Sequence, residues 1–406
     1  MCLFQSTKIA RIFACLAAIL VALAALTWSS SARAYVWMLR HDGAYVGCAM
    51  CHADPSGGAL LTQYGRNLGE QKLRTYFGKH GEDEEVGSAG SFLFGAFPVP
   101  DPLLLGGDVR SLYLHTIPSR APATDRYILM QADLQAQVSI DWLRANVSAG
   151  YVSEGALGAA LTVGAKDRLV SRTQWVGAVF GDNDRFLVRA GRFNIPFGLR
   201  VTEHTLWART VTRTDTNASQ QHGVALAFNV PKWRAEVMGI AGNFQVSPDA
   251  YRERGYSAFV EHEFADRWTL GASSLLAHSE RDISSGKPTW RHAHGLFSRY
   301  SPSKILVLLL EADGLLSSTQ TKKDYGLTGM LQADVEPSQG LHFLATAELL
   351  DRRLGTDGVS YGLWGSAAWF FAPHADARVD LVWRSEAVTQ TRASATALLA
   401  QMHFYF

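Results

Sequence analysis

The sequence predicts an all-β fold, a transmembrane antiparallel β-barrel of about sixteen strands, preceded by a small, partly helical segment. Three observations carry this. From residue 104 onward, stretches of nine to fourteen residues alternate apolar and polar side chains, which gives each an apolar and a charged face. Their connections alternate in length, as in barrels with short turns at one end and long loops at the other. The last stretch ends Leu398, Ala400, Met402, Phe404, Phe406, an alternating apolar strand closed by a terminal Phe.

Composition sets the limits. Of 406 residues, 47% are hydrophobic and 18% charged, the latter below the roughly 25% of soluble globular chains. The net charge of +1 argues against a nucleic-acid partner held by a general basic field. The apolar content excludes disorder. Mean hydropathy near zero with one long apolar run excludes a multi-helix membrane protein. It does not exclude a barrel, whose alternation averages out.

Lys8 and Arg11 precede a 15-residue apolar run, Ile12 to Leu26, and Ala32-Arg33-Ala34 follows. This is the layout of a secretory signal peptide over residues 1–34, with a mature start at Tyr35. A membrane anchor is the alternative, but the run is short for roughly 30 Å of hydrocarbon. Cleavage removes Lys8, Arg11, Arg33 and no acid, which takes the charge from +1 to −2. It also removes Cys2 and Cys15 and leaves only Cys48 and Cys51.

Those two stand in Cys48-Ala49-Met50-Cys51-His52, a C-x-x-C-H motif. The spacing suits two thiols adding to the two vinyl groups of one haem, with the adjacent His placed to ligate iron. A zinc site lacks a second Cys pair. A thioredoxin-like dithiol lacks its βαβ context, and a disulfide across this spacing is strained. The expected cofactor is one covalent haem c, held by Cys48, Cys51 and His52. For the sixth iron position Met38 and His41 lie upstream and His80 downstream, while Met50 faces away within the motif. The expectation is His41, with a solvated surface histidine equally consistent.

Pro55 and Gly57-Gly58 read as a turn, and residues 59–77 as a helix with Leu60, Leu61, Tyr64 and Leu68 on one face. That face either covers the haem or packs on the barrel mouth. The haem segment, 35–78, is too small to bury a porphyrin alone and must lean on something else. Residues 79–103 form a linker that includes the acidic run Glu82-Asp83-Glu84-Glu85.

The barrel occupies 104–406, in sixteen segments from 104–117 to 391–406. In 127–138, Ile128, Met130, Ala132, Leu134, Ala136 and Val138 alternate with Gln131, Asp133, Gln135 and Gln137. Short connections fall at 182–184, 230–232, 265–267 and 372–375. Long ones fall at 118–126, 154–170, 196–221, 244–254, 280–290, 317–323 and 353–360. The even count puts both termini on the short-turn, periplasmic side. Phe404, Tyr405 and Phe406 are expected in an aromatic girdle at the lipid interface.

The longest connection, 196–221, follows Gly191-Arg192-Phe193-Asn194-Ile195-Pro196-Phe197-Gly198, which resembles the G-R-x-x-x-P-F-G segment of several porin families. In general porins a long third loop folds inward. Arg200, His204, Arg209 and Arg213 are the pore-lining candidates, against Glu203 and Asp215, and give a mild anion preference if they line a constriction. A solvated outer loop fits the same residues slightly better. No catalytic constellation stands out. Glu261, His262 and Glu263 alternate sides of a strand, and His292 and His294 share a face without a third ligand.

The whole chain resembles the outer-membrane porin–cytochrome proteins of Gram-negative bacteria. The haem part carries the resemblance: Arg40-His41 ahead of C-x-x-C-H, then Pro55, Gly57, Gly58, Leu61, Tyr64, Gly65 and Arg66 in a P-x-G-G…L-x-x-Y-G-R run. The resemblance implies a lipid-embedded barrel with haem c at its periplasmic mouth, exchanging electrons with a periplasmic or lumenal cytochrome. The alternative is a diffusion porin for small solutes with a haem-bearing plug or gate. A haem enzyme would need an open iron site, which nothing in the sequence supports.

Overall fold

A computed structural model describes residues 39–42, 48–58, 60–76, 91–153, 169–388 and 391–406. The expected signal peptide, the start at Tyr35, Met38, His80 and residues 77–90 of the haem segment and linker lie outside the described residues, as does the side chain of His41.

Seventeen strand segments form one sheet. All pairings are antiparallel, and the first strand, Leu103–Pro118, pairs with the last, Thr391–Tyr405, so the sheet closes. Leu169–Val170 and Gln174–Phe180 both pair with Leu143–Tyr151 and make one interrupted strand, so the wall counts sixteen. The expected strands match these within a few residues. Closure matters because a sheet in lipid has no water to satisfy its edges.

Burial along the wall is inverted relative to a soluble protein. In Thr124–Ile140, Asp133 is 3% exposed while its neighbour Leu134 is 63% exposed. In Ala375–Val388, Asp376, Arg378 and Asp380 are buried, while Val379, Leu381 and Trp383 are exposed. The charged faces therefore line the lumen and the apolar faces point outward, as a lipid-embedded barrel requires.

Two expected details change. Ile128 to Val138 does not present one continuous apolar face. The pairing of Leu103–Pro118 with Thr124–Ile140 shifts at Arg110/Ser111, which leaves Met130 as an extra residue. A bulge of this kind swaps the alternation, so Ile128 and Gln131 are both buried inside. The C-terminal aromatics are not all in a girdle. Phe404 points outward, but Tyr405 is buried and lines the lumen, and Phe406 packs edge-on against Phe92 at 5.6 Å. The backbone causes this, because a period-two strand cannot put consecutive residues on one face.

The main apolar core sits inside the barrel. It joins Cys51, Leu68 and Leu73 to Leu199, Val201, Leu206 and Ala208 and to wall residues such as Phe259, Phe297 and Val307. The 35–78 segment was expected to lean on something else, and the barrel interior supplies that support. The described part of that segment lies within the lumen and shares its core.

Candidate functional site

The N-terminal plug is folded by a few local devices. A short helix, Cys48–Cys51, is followed by His52, which bridges to Leu61. Between them the chain reverses at Gly57 and Gly58, with φ of +93° and +81°, values that strain any residue with a Cβ. Of the helix expected over 59–77, the described residues form the part from Gln63 to Leu73. Thr62 caps a helix at Gln63–Leu68 by accepting from Gly65 N at 3.0 Å, and the last turn, Gly69–Leu73, widens to π geometry. Leu60 and Leu61 therefore precede the helix, and Tyr64 is exposed instead of sharing a buried face with Leu68. Gly65 lets the two helices meet: a Cβ there would stand 2.4 Å from Cys51 O.

Side chains fix the plug to the wall. Asp54 receives Arg189 at 3.0 Å, and Arg189 also donates to Glu236 at 2.6 Å. Burial alone would raise the Asp54 carboxyl, but Arg189 and Arg200 outweigh it and hold the group below the usual carboxylate range. Arg40 pairs with Asp334 and with Glu336, and Arg66 donates to Leu105 O. Farther along, Thr75 N donates to Phe370 O at 2.7 Å. Cys48 and Cys51 are both buried, and Arg234 donates to Cys48 Sγ at 2.7 Å. Met50 is 45% exposed and lies beside the turn at Pro231 and Lys232, away from His52.

From the other end, the segment 196–220 folds into the lumen and is largely buried. It is not a solvated outer loop. Its four candidate residues have separate roles. Arg200 reaches the plug, donating to Ser56 O at 3.1 Å and Ser56 Oγ at 2.8 Å. Arg209 pairs with Glu311 and donates to Thr214 Oγ1 at 2.9 Å. Arg213 pairs with Glu253 at 2.7 Å and Asp282 at 2.8 Å. Neither Arg209 nor Arg213 borders the cavity described next, and ion pairing offsets their charge. Glu203 lies by Arg378 at 2.6 Å, which holds its carboxyl low against the effect of burial.

Plug and loop leave a cavity between them, open to solvent and lined by Cys48, Cys51, His52, Arg200, His204 and Tyr405, among others. Two residues that sequence reasoning missed, Arg172 and His403, also border it. Arg172 donates to Asp133 at 2.6 Å, and His403 contacts Asp108 at 3.1 Å and Asp376 at 2.9 Å. Both are polar residues in a period-two barrel segment, so the sequence marks them only as lumen-facing.

The donor set fits a thioether-bound haem. Both thiols and the imidazole border one cavity, and the Gly57 cradle passes so near that a Cβ would stand 3.2 Å from Cys48 Sγ. A larger residue at 57 would press on the tether.

No protein-family description matches the sequence, and no curated protein matches it. Solved structures do. OmpT of Vibrio cholerae expressed in the outer membrane is 10% identical, with a TM-score of 0.58 over 76% of this chain and 99% of that one. The anion-selective porin from Comamonas acidovorans is 11% identical, with a TM-score of 0.55 over 75% and 99%. OmpF of Salmonella typhi in complex with daunomycin is 12% identical, with a TM-score of 0.56 over 76% and 99%. The barrel is thus porin-like in fold, and these neighbours are bacterial outer-membrane proteins.

Proposed function

We propose that the chain is an outer-membrane barrel of the porin type whose lumen is stoppered by a plug carrying one covalent haem c, so that the plug gates small-solute passage. One observation carries this reading: the C-x-x-C-H segment lies inside the barrel, ion-paired to the wall, with its donors toward the cavity beneath the inward loop. Cys48 and Cys51 would tether the haem and His52 would ligate it. When bound, the group supplies one-electron chemistry at iron. The chain's own residues do the rest. Asp54, Arg66 and Arg40 dock the plug, Arg200 ties it to the loop, and the apolar outer face meets lipid.

A second reading is electron transfer through that haem to a cytochrome partner on the periplasmic side. It is favoured by a donor set that borders an open cavity. Conductance in planar bilayers separates the two. The gate reading expects wild-type channels that are mostly closed and a several-fold rise on combining Asp54→Ala with Arg40→Ala. Equal conductance in both proteins overturns the gate. If the channel stays closed while the haem exchanges electrons with an added soluble c-type cytochrome, the second reading stands alone.

A further inference from the structure

We infer that His204, carried into the lumen by the loop, would supply the iron's second protein ligand beside His52, and that Asp215 positions it. The inference rests on the haem reading above and adds a second metal ligand from a distant part of the chain. Among the described residues bordering the cavity there are three imidazoles, His52, His204 and His403, and no methionine. His52 belongs to the attachment motif, so the choice lies between the other two.

Hydrogen-bond chemistry separates them. An iron ligand must offer an unprotonated ring nitrogen. His403 has a carboxylate as the nearer partner at each nitrogen, Asp376 at 2.9 Å on Nδ1 and Asp108 at 3.1 Å on Nε2, with Arg110 Nη2 farther from Nε2 at 3.4 Å. The nearer acceptors call for two N–H groups, which leaves this ring no lone pair to give. His204 is arranged the other way. Its Nδ1 lies 2.9 Å from Asp215 Oδ2. Its Nε2 lies 2.7 Å from Arg110 Nη1, and a guanidinium can only donate. Nδ1 is therefore the protonated nitrogen, donating to Asp215, and Nε2 carries the lone pair.

The carboxylate–histidine pair is built. Asp215 is buried and also accepts from Asn217 N at 2.8 Å and Ala218 N at 3.1 Å. A carboxylate held this way fixes both the ring orientation and the tautomer, and raises the basicity of the free nitrogen, the usual arrangement behind a metal-bound histidine. Arg110 and, at 3.1 Å, Asn217 Nδ2 face that lone pair in this structure and are the groups that iron would replace.

The test uses the full-length, detergent-solubilised, haem-loaded protein, read by visible absorption and by electron paramagnetic resonance of the ferric form. Wild type is expected to be six-coordinate and low-spin. His204→Gly is expected to turn high-spin and to regain the low-spin spectrum on addition of millimolar imidazole. His403→Gln and His41→Gly are expected to stay low-spin. Asp215→Asn is expected to remain six-coordinate with shifted g values and a higher midpoint potential, because the ligand becomes less basic. A low-spin His204→Gly protein without imidazole, or a high-spin His41→Gly protein, overturns the assignment. If His204→Gly does not assemble, Asp215→Asn decides, and unchanged g values overturn it. A wild-type chain with no covalent haem overturns the parent reading as well. A haem-bearing chain with the wrong ligand overturns this inference alone.

Discussion

Two segments fill the same lumen by different means. The plug enters from the short-turn end, and few of its apolar residues join the core, Cys51, Leu68 and Leu73 among them. Polar side chains such as Asp54, Arg66 and Arg40 hold it in place. The inward loop enters from the opposite end and places Leu199, Val201, Leu206 and Ala208 in that core. It is also stitched to the wall by buried pairs such as Arg209–Glu311 and Glu203–Arg378. The loop is thus part of the barrel's own fold, whereas the plug is docked into it mainly by polar side chains and, in the proposed reading, carries the haem. Changes in the loop should act on barrel stability, and changes in the plug on what it carries.

The largest effect on stability is expected from Arg209→Met, which strands Glu311 in the interior. Breaking a buried pair from one side costs about 3–5 kcal/mol. The temperature at which the folded band converts on semi-native gels should fall sharply while ion selectivity stays the same. A selectivity change without loss of stability would return Arg209 to the pore wall.

A smaller effect is expected from Gly65→Ala. The added carbon would meet Cys51 O at 2.4 Å and force the two plug helices apart, at a cost on the order of 1–3 kcal/mol. Haem content per chain should drop while the barrel's conversion temperature holds. A fall in that temperature with full haem content would mean the plug supports the wall more than the loop does.

The smallest effect comes at the rim, where His374 is stacked between Phe94 at 5.1 Å and Tyr405 at 5.2 Å. Burial, with Arg66 adding to it, pushes this imidazole down from 6.5 to about 4. An unfolded chain takes up the proton at 6.5 and the folded one only near 4, so the stabilisation is full above 6.5 and is lost as pH falls toward 4. His374→Asn, which tolerates the local φ of +58°, should flatten the stability profile across that window. An unchanged profile would place the titrating group elsewhere.

The wall was legible because lipid imposes period two on every strand, and the long segments carry that period through their full length. The bulge at Met130 was not, since an extra residue leaves the local apolar count intact. The plug's position was hidden for a different reason. Asp54 meets Arg189 across 135 positions of sequence, and Arg209 meets Glu311 across 102, with no periodic signal linking either pair. The helix expected over 59–77 starts only at Gln63, because Thr62 capping after the Gly57-Gly58 reversal outweighed the apolar spacing at Leu60 and Leu61. His204 and Asp215 were both visible as loop residues, but nothing in a spacing of eleven marks a pair.

The most direct test of the account is the intact mass and visible spectrum of the purified, heat-modifiable barrel beside its Cys48→Ala counterpart. The account predicts one haem added to each wild-type chain, no stable thioether adduct in the variant, and the same folded band in both. A colourless wild-type barrel with the mass of polypeptide alone would contradict it.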